Sequence, residues 1–128
     1  MIEGNSEATE NLKKEAKIRN IDASRLIFAK RMKLEDHLAR HKNADLFLDT
    51  LPYNAHTTAS DSLWAGLPVL TCLGKAFPGR VAASLLRSLD LPELITYSEN
   101  EYVAKAEELA LNPERLRVIK NKLDTNKF

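Results

Sequence analysis

The sequence predicts an α/β fold with a doubly wound, mostly parallel sheet. Segments with apolar residues at helical spacing alternate with short β-type runs, in the order β-α-β-α-β-α-β-α. The chain has no repeat of fixed period and no Gly-, Ser- or Pro-rich linker. A length of 128 residues is typical of one domain, so we expect residues 1–128 to form a single domain with its own core.

The first third of the chain carries two predicted helices. Ile2 fits the end of a strand, and the first helix is predicted over Glu7–Asn20, with Ser6 as its N-cap. Arg25–Phe28 is a short β-type run. The second helix is predicted over Leu34–Lys42 from the spacing of its apolar residues.

The middle of the chain continues the alternation. Ala44–Asp49 is predicted as a strand, and its continuous apolar centre fits a strand covered on both faces. A loop over residues 50–56 leads into a third helix over Thr58–Ala65, which Gly66 ends. Val69–Leu73 is the next predicted strand.

The last third is predicted to be mostly helical. A turn over residues 74–79 precedes a helix over Arg80–Leu89, and Leu94–Thr96 is a short strand. Two helices follow, over Glu99–Leu111 and Pro113–Leu123, because Pro113 fits a first helical position.

Composition and charge exclude several classes of function. Nineteen Lys and Arg residues against 18 Asp and Glu leave a net charge of +1, too little to attract nucleic acid or a membrane surface. No apolar run approaches the roughly 20 residues of a membrane span. The N-terminus lacks a secretory signal, and the single Cys72 excludes an internal disulfide and a zinc cluster. We therefore expect a cytoplasmic protein.

The densest polar stretch lies where a doubly wound sheet binds its ligands, beyond the carboxyl end of a strand. It runs from Asp49 to Asp61, leaving a strand and entering a helix. The first helical amides and the helix dipole make an anion site, and His56, Thr57 and Thr58 can grip a phosphate there without a metal. Asp61, one turn later, can accept hydrogen bonds from a sugar hydroxyl. The alternative is that Thr58 and Asp61 only form a capping box.

A second candidate group lies on the second predicted helix. His37 and Arg40 are three residues apart and share a face, so a stacking ring and a guanidinium would suit a nucleobase. The alternative is a solvated helix flank. His41 falls on the apolar side and is expected to be a half-buried packing residue.

The other candidates carry weaker signals. Cys72 is expected to be an inert core thiol, and Trp64 to pack the third helix. Residues 74–80 lack the order of a phosphate-binding P-loop, although Arg80 can point into the crevice. Nothing in the sequence has a clear catalytic placement.

Several strings in the chain together resemble the catalytic region of O-linked N-acetylglucosamine transferases, closest to bacterial relatives that carry tetratricopeptide repeats. The resemblance covers nearly the whole chain, and its H-T-T-x-x-D-x-L-W-A-G-x-P string is specific. The strings are Asn11–Ala16, Arg25–Phe28, Glu35–Leu38, Ala44–Thr50, His56–Thr58, Asp61–Thr71 and Arg80–Ser84.

The resemblance implies the UDP-binding, Rossmann-like half of an inverting, two-domain glycosyltransferase that needs no metal and uses UDP-N-acetylglucosamine as donor. By position, His37 would stack near the uracil and Arg40 would fix the base. His56, Thr57 and Thr58 would hold the diphosphate, and Asp61 would bond the ribose hydroxyls. The acceptor protein would be bound by N-terminal regions outside this sequence.

Two departures from the family pattern bear on function. Leu34 stands where the family often has a lysine that packs over the nucleoside. The repeats, the N-terminal catalytic domain and the upstream lysine that neutralises the leaving diphosphate are missing. We therefore expect a domain excised from a larger chain, inactive by itself and without catalytic residues of its own. The alternative is a non-enzymatic nucleotide-binding or interaction module with a degenerate site.

Overall fold

A computed structural model describes residues 4–127. The strand end predicted at Ile2 lies outside the described residues. By their internal contacts the residues form two compact units, one ending at His37 and the other beginning at Leu38. The sheet and its covering helices belong to the second unit.

The first unit is built around helix α1, Ser6–Ile18. Its N-cap is Asn5, whose side chain accepts a hydrogen bond from the Ala8 amide at 2.7 Å, so the prediction of Ser6 as N-cap was wrong. The strand predicted at Arg25–Phe28 was also wrong. Arg25 ends a 3-10 turn, Ala23–Arg25, and residues 26–28 form no strand. The Asp22 side chain accepts from the Ser24 amide at 2.9 Å, and such local bonds favour a turn over an extended strand.

Helix α2 covers Leu34–Arg40 and is followed by a 3-10 turn, His41–Asn43. The prediction of a helix here is confirmed, with its last residues in the tighter turn. His41 is buried, in agreement with a packing role, whereas Leu34 is 60% exposed.

The sheet has three parallel strands, β1 (Phe47–Leu48), β2 (Val69–Cys72) and β3 (Ile95–Thr96), in that order. Phe47 pairs with Val69, and Thr71 pairs with Ile95. The α/β fold with a parallel sheet is therefore confirmed. Strand β1 is shorter than predicted, and Leu48 is 51% exposed, so the expectation of burial on both faces was wrong. The reason is that β1 is an edge strand among residues 4–127, whereas the helices described below pack against the central strand β2.

Four further helices complete the second unit: α3 (Thr57–Trp64), α4 (Val81–Ser88), α5 (Glu99–Leu111) and α6 (Pro113–Asn126). All four were predicted to within three residues at each end. Helices α3, α4 and α5 contact β2, which is buried along its whole length. No helix of the described chain is long and apolar enough to cross a membrane.

The core lies between the central strand and these helices. Leu70 of β2, Leu86 of α4 and Leu109 of α5 are almost completely buried. Trp64 does not join them: it is 62% exposed at the end of α3, so the prediction that it packs the third helix was wrong, while its neighbour Leu63 is buried.

The loop between β2 and α4 is closed by two glycines in contact. The Gly74 amide donates to the Gly79 carbonyl at 2.7 Å. A Cβ atom on Gly79 would lie 2.8 Å from the Gly74 Cα, and a Cβ on Gly74 would lie 3.0 Å from the Gly79 Cα. Because both neighbours are backbone atoms, neither position has room for a side chain.

We therefore expect Gly79→Ala to lower the free energy of unfolding by about 1–3 kcal/mol, as overpacking of a tight site does. Urea unfolding followed by circular dichroism would measure it. Gly4→Ala is the matched control, because nothing lies within 4 Å of a Cβ at Gly4. Equal stability of the two variants would contradict the close contact.

Candidate functional site

An open cleft lies at the carboxyl end of β1. It has a volume of about 470 Å³ and is lined by residues 47–50 and 53–58, which run from β1 through the following loop into the first turn of α3. The loop contains a cis peptide bond between Leu51 and Pro52. The cleft therefore lies where the polar stretch was predicted to place a ligand.

The first turn of α3 opens onto this cleft. His56 is the N-cap residue and its side chain makes no capping hydrogen bond. The alternative interpretation, a capping box of Thr58 and Asp61, does not hold, because His56 is the N-cap and Thr58 is already the second helical residue. The first bond back to the cap is donated by the Ser60 amide to the His56 carbonyl at 3.1 Å. The preceding helical amides, those of Thr57 to Ala59, therefore have no carbonyl partner in the helix.

The His56 ring is held between two aromatic side chains. It stacks on Tyr53, with ring centroids 5.2 Å apart, and meets the edge of Phe77 at 5.9 Å. Its Nε2 lies 3.3 Å from the Pro78 carbonyl oxygen. Because a carbonyl only accepts, Nε2 is the donor in this contact. The ring therefore joins the loop after β1 to the loop after β2.

Beneath the cleft lies a buried polar network that sequence reasoning missed. The Asp49 carboxylate accepts from the Ala55 amide and from the Thr71 hydroxyl, both at 2.7 Å. Asn54 Nδ2 donates to the Thr71 hydroxyl at 2.9 Å and to the Cys72 carbonyl at 3.0 Å. The available signal was Thr71 itself, a polar residue inside an otherwise apolar strand, since buried polar groups need partners.

Tyr102 of α5 approaches the same network. Its hydroxyl has no hydrogen-bond partner among residues 4–127. Burial, and then the charges of Asp49 and Cys72, raise the pKa of Tyr102 to about 12. Desolvation disfavours the phenolate, and a neighbouring carboxylate repels it.

The predicted site residues divide into three groups. His56, Thr57 and Thr58 line the cleft together, with Thr57 exposed and the other two half-buried. Asp61 and Arg40 belong to the same unit but are not among the residues that line it. His37 lies at the end of the other unit and, like Arg40, is half-buried on α2.

The structure also shows the positions of the weaker candidates, Cys72 and Arg80. Cys72 is a buried free thiol. Arg80 is exposed, and its Nη1 lies 3.4 Å from the Gly74 carbonyl oxygen. No group of three His, Cys, Asp or Glu side chains within residues 4–127 is arranged to hold a metal ion.

The fold and the cleft together define a Rossmann-like α/β protein with a ligand cleft at the carboxyl end of a parallel sheet, next to a helix N-terminus. Comparison with known sequences gives the family. Residues 4–128 match Glycosyl transferase family 41, and the chain belongs to that family.

Curated relatives come from animals and plants. The chain is 36% identical over 114 residues to the Caenorhabditis elegans UDP-N-acetylglucosamine–peptide N-acetylglucosaminyltransferase, covering 89% of this chain and 10% of that protein. It is 34% identical to the probable Arabidopsis thaliana enzyme SEC, covering 88% of this chain and 12% of the relative. The chain thus spans about a tenth of the length of these proteins.

A solved structure agrees with the fold. A mutant Thermobaculum terrenum O-GlcNAc transferase superposes with a TM-score of 0.88 at 32% sequence identity, covering 94% of this chain and 23% of that one. The described α/β arrangement is therefore that of part of a family 41 catalytic region.

The raised pKa of Tyr102 predicts a pH dependence of stability. An unfolded tyrosine loses its proton near pH 10, whereas the folded chain holds it to about pH 12, so the folded state binds more protons between these values. The contribution of Tyr102 to the free energy of unfolding is therefore largest below pH 10 and falls as the pH rises towards 12. Because Tyr102 is only half-buried, solvent screening keeps this fall below the limit of roughly 1.4 kcal/mol per pH unit for one proton. Tyr102→Phe should remove this part of the decline. Urea unfolding at pH 8 to 11 would measure it, and identical slopes in both proteins would contradict it.

Proposed function

We propose that this chain is the donor-binding part of an inverting protein O-glycosyltransferase, with UDP-N-acetylglucosamine as donor and Ser or Thr of an acceptor protein as the target. One observation carries the proposal. In a family 41 chain, the uncapped first turn of α3 opens onto a cleft at the carboxyl end of the sheet, with His56, Thr57 and Thr58 in its lining.

The chemistry of this cleft suits a diphosphate. Amides without a helical partner and the positive end of the helix dipole attract an anion. Two threonine hydroxyls add side-chain donors to the same oxygen atoms, and the His56 ring lines the cleft beside them. A cleft of about 470 Å³ is within the range of small-molecule sites. This set of donors neutralises a leaving UDP by hydrogen bonds, without a metal ion.

The remaining roles follow the family resemblance. Asp61, one turn into α3, accepts hydrogen bonds from the ribose hydroxyls. His37 stacks on the uracil, and Arg40 donates to the base. The relatives are named as transferases from UDP-N-acetylglucosamine to peptides, which supports the same donor and an acceptor that is a protein.

We further propose that residues 1–128 work as one nucleotide-sugar-binding domain within a longer cytoplasmic protein that carries tetratricopeptide repeats. The chain spans about a tenth of the length of its curated relatives, which supports an acceptor site and catalytic groups in other segments. The isolated chain then binds the donor without transferring the sugar.

Titration of UDP and of UDP-N-acetylglucosamine into the ¹⁵N-labelled chain tests the proposal. We expect the largest amide shifts at residues 56 to 58, with further shifts at Asp61, His37 and Arg40. Binding should be unchanged by EDTA, and the chain should release no UDP from the sugar nucleotide in the presence of acceptor peptide.

A variant sharpens the test. Thr57→Val should weaken UDP binding about tenfold, since a hydrogen bond to a charged group is worth about 1.5–3 kcal/mol. Thr125→Val is the matched control, because Thr125 lies on α6 and bonds to the Asn121 carbonyl.

Two outcomes would contradict the proposal. No shifts at millimolar UDP would favour an interaction module with a degenerate site, in which the exposed Leu34 stands where the family often has a lysine. Equal affinity for other nucleoside diphosphates would contradict the assignment of uridine.

A further inference from the structure

We propose that Thr71 is a positioning residue for the phosphate-binding turn, acting through Asp49 and Asn54. The inference rests on the proposed function, because the turn that it positions is the one assigned to the diphosphate. Thr71 is completely buried in β2 and is not among the residues that line the cleft. Any effect of its hydroxyl on a ligand therefore passes through other groups.

The Thr71 hydroxyl connects two side chains of the loop before α3. It donates to Asp49 Oδ2 at 2.7 Å and accepts from Asn54 Nδ2 at 2.9 Å. Both of these side chains are almost completely buried. One hydroxyl on the central strand thus binds one oxygen of a carboxylate from the end of β1 and one N–H of an amide from the end of the loop, whose Oδ1 has no hydrogen-bond partner among residues 4–127.

The same side chains fix the backbone that enters the helix. Asp49 Oδ1 accepts from the Ala55 amide at 2.7 Å, and Asn54 Nδ2 reaches the Cys72 carbonyl at 3.0 Å. Residues 54 and 55 are therefore tied to the sheet at two points, directly before His56. Residues 50 to 53, which lie between Asp49 and these two points, are exposed. The position of the first α3 amides accordingly depends on the ties at the end of the loop.

Loss of the Thr71 hydroxyl removes the group that links Asp49 to Asn54. One Asp49 oxygen and one Asn54 N–H then lose their buried partner, and a buried polar group without a partner is costly. The loop can regain these bonds only by moving towards water, which shifts His56 and the amides that follow it. A shift of a preorganised group away from its ligand weakens binding even though no contact atom is changed.

The chain offers a matched control in the neighbouring strand. Thr96 of β3 is also buried, and its hydroxyl donates to the Thr71 carbonyl at 3.0 Å. Thr96→Val therefore removes a buried threonine hydroxyl bond close to Thr71 but leaves the side chains of Asp49 and Asn54 paired.

The experiment compares Thr71→Val, Thr71→Ser and Thr96→Val in the 128-residue chain. Three quantities are measured at low temperature: the urea midpoint, the amide shifts of residues 55 to 58 without ligand, and the Kd for UDP. We expect Thr71→Val to move these amides and to weaken UDP binding about tenfold or more, the scale of one lost charged hydrogen bond. Thr71→Ser keeps the hydroxyl and should stay within about threefold of the parent.

The controls separate positioning from general destabilisation. Thr96→Val should lower the urea midpoint like Thr71→Val and leave both the amide shifts and the Kd unchanged. Asn54→Ala removes the hydrogen bonds from the Asn54 side chain to Thr71 and Cys72. Because Asn54 itself lines the cleft, this variant is judged by the amide shifts of residues 55 to 58 without ligand, which should move as in Thr71→Val. It therefore tests the proposal if Thr71→Val does not fold.

The outcomes are distinguishable. Failure of the parent chain to bind UDP overturns the proposed function, whereas the unliganded amide shifts still decide the positioning role. Unmoved amides and an unchanged Kd in Thr71→Val, or unmoved amides in Asn54→Ala, overturn the positioning role. An equal loss of affinity in Thr96→Val also overturns it, because the effect would then follow stability alone.

Discussion

The rest of the cleft depends on one buried carboxylate. Asp49 directly follows the outer strand β1, is 2% exposed, and receives one hydrogen bond from the following loop and one from the central strand. A carboxylate in such a position is stable only when its oxygen atoms have donors. The loop is therefore constrained to return to the sheet, and α3 begins where that return ends. The cleft and the uncapped helix turn both follow from this constraint.

Much of the fold could be predicted from the sequence, because it depends on local periodicity. Helices α1 to α6 and strands β2 and β3 were found within a few residues of their observed bounds. The errors arose where a contact other than the periodicity of apolar residues determined the structure. Asp22 forms a turn where a strand was predicted, and β1 lies at the sheet edge, so its apolar run is only half covered.

The place of the candidate site could be predicted from the sequence, but the contacts that build it could not. The polar stretch after β1 indicated His56, Thr57 and Thr58, and these residues do line the cleft. The pairing of Asp49 with Thr71 joins residues 22 positions apart, and it depends on the register of neighbouring strands, which no local pattern specifies. The start of α3 was misplaced by one residue for a related reason, since the loop geometry, not a capping side chain, determines where the helix begins.

The glycine contact after β2 has a consequence for engineering this cleft. Gly74 and Gly79 block each other, so a side chain at either position meets the same backbone and neither substitution relieves the other. In a library that randomises the whole loop, most variants would carry a side chain at one of these two positions and so disturb the loop backbone. The exposed Lys75 and Phe77 lie between them, and Phe77 already touches the His56 ring. Diversity confined to that pair would change what the His56 ring packs against while the loop keeps its path.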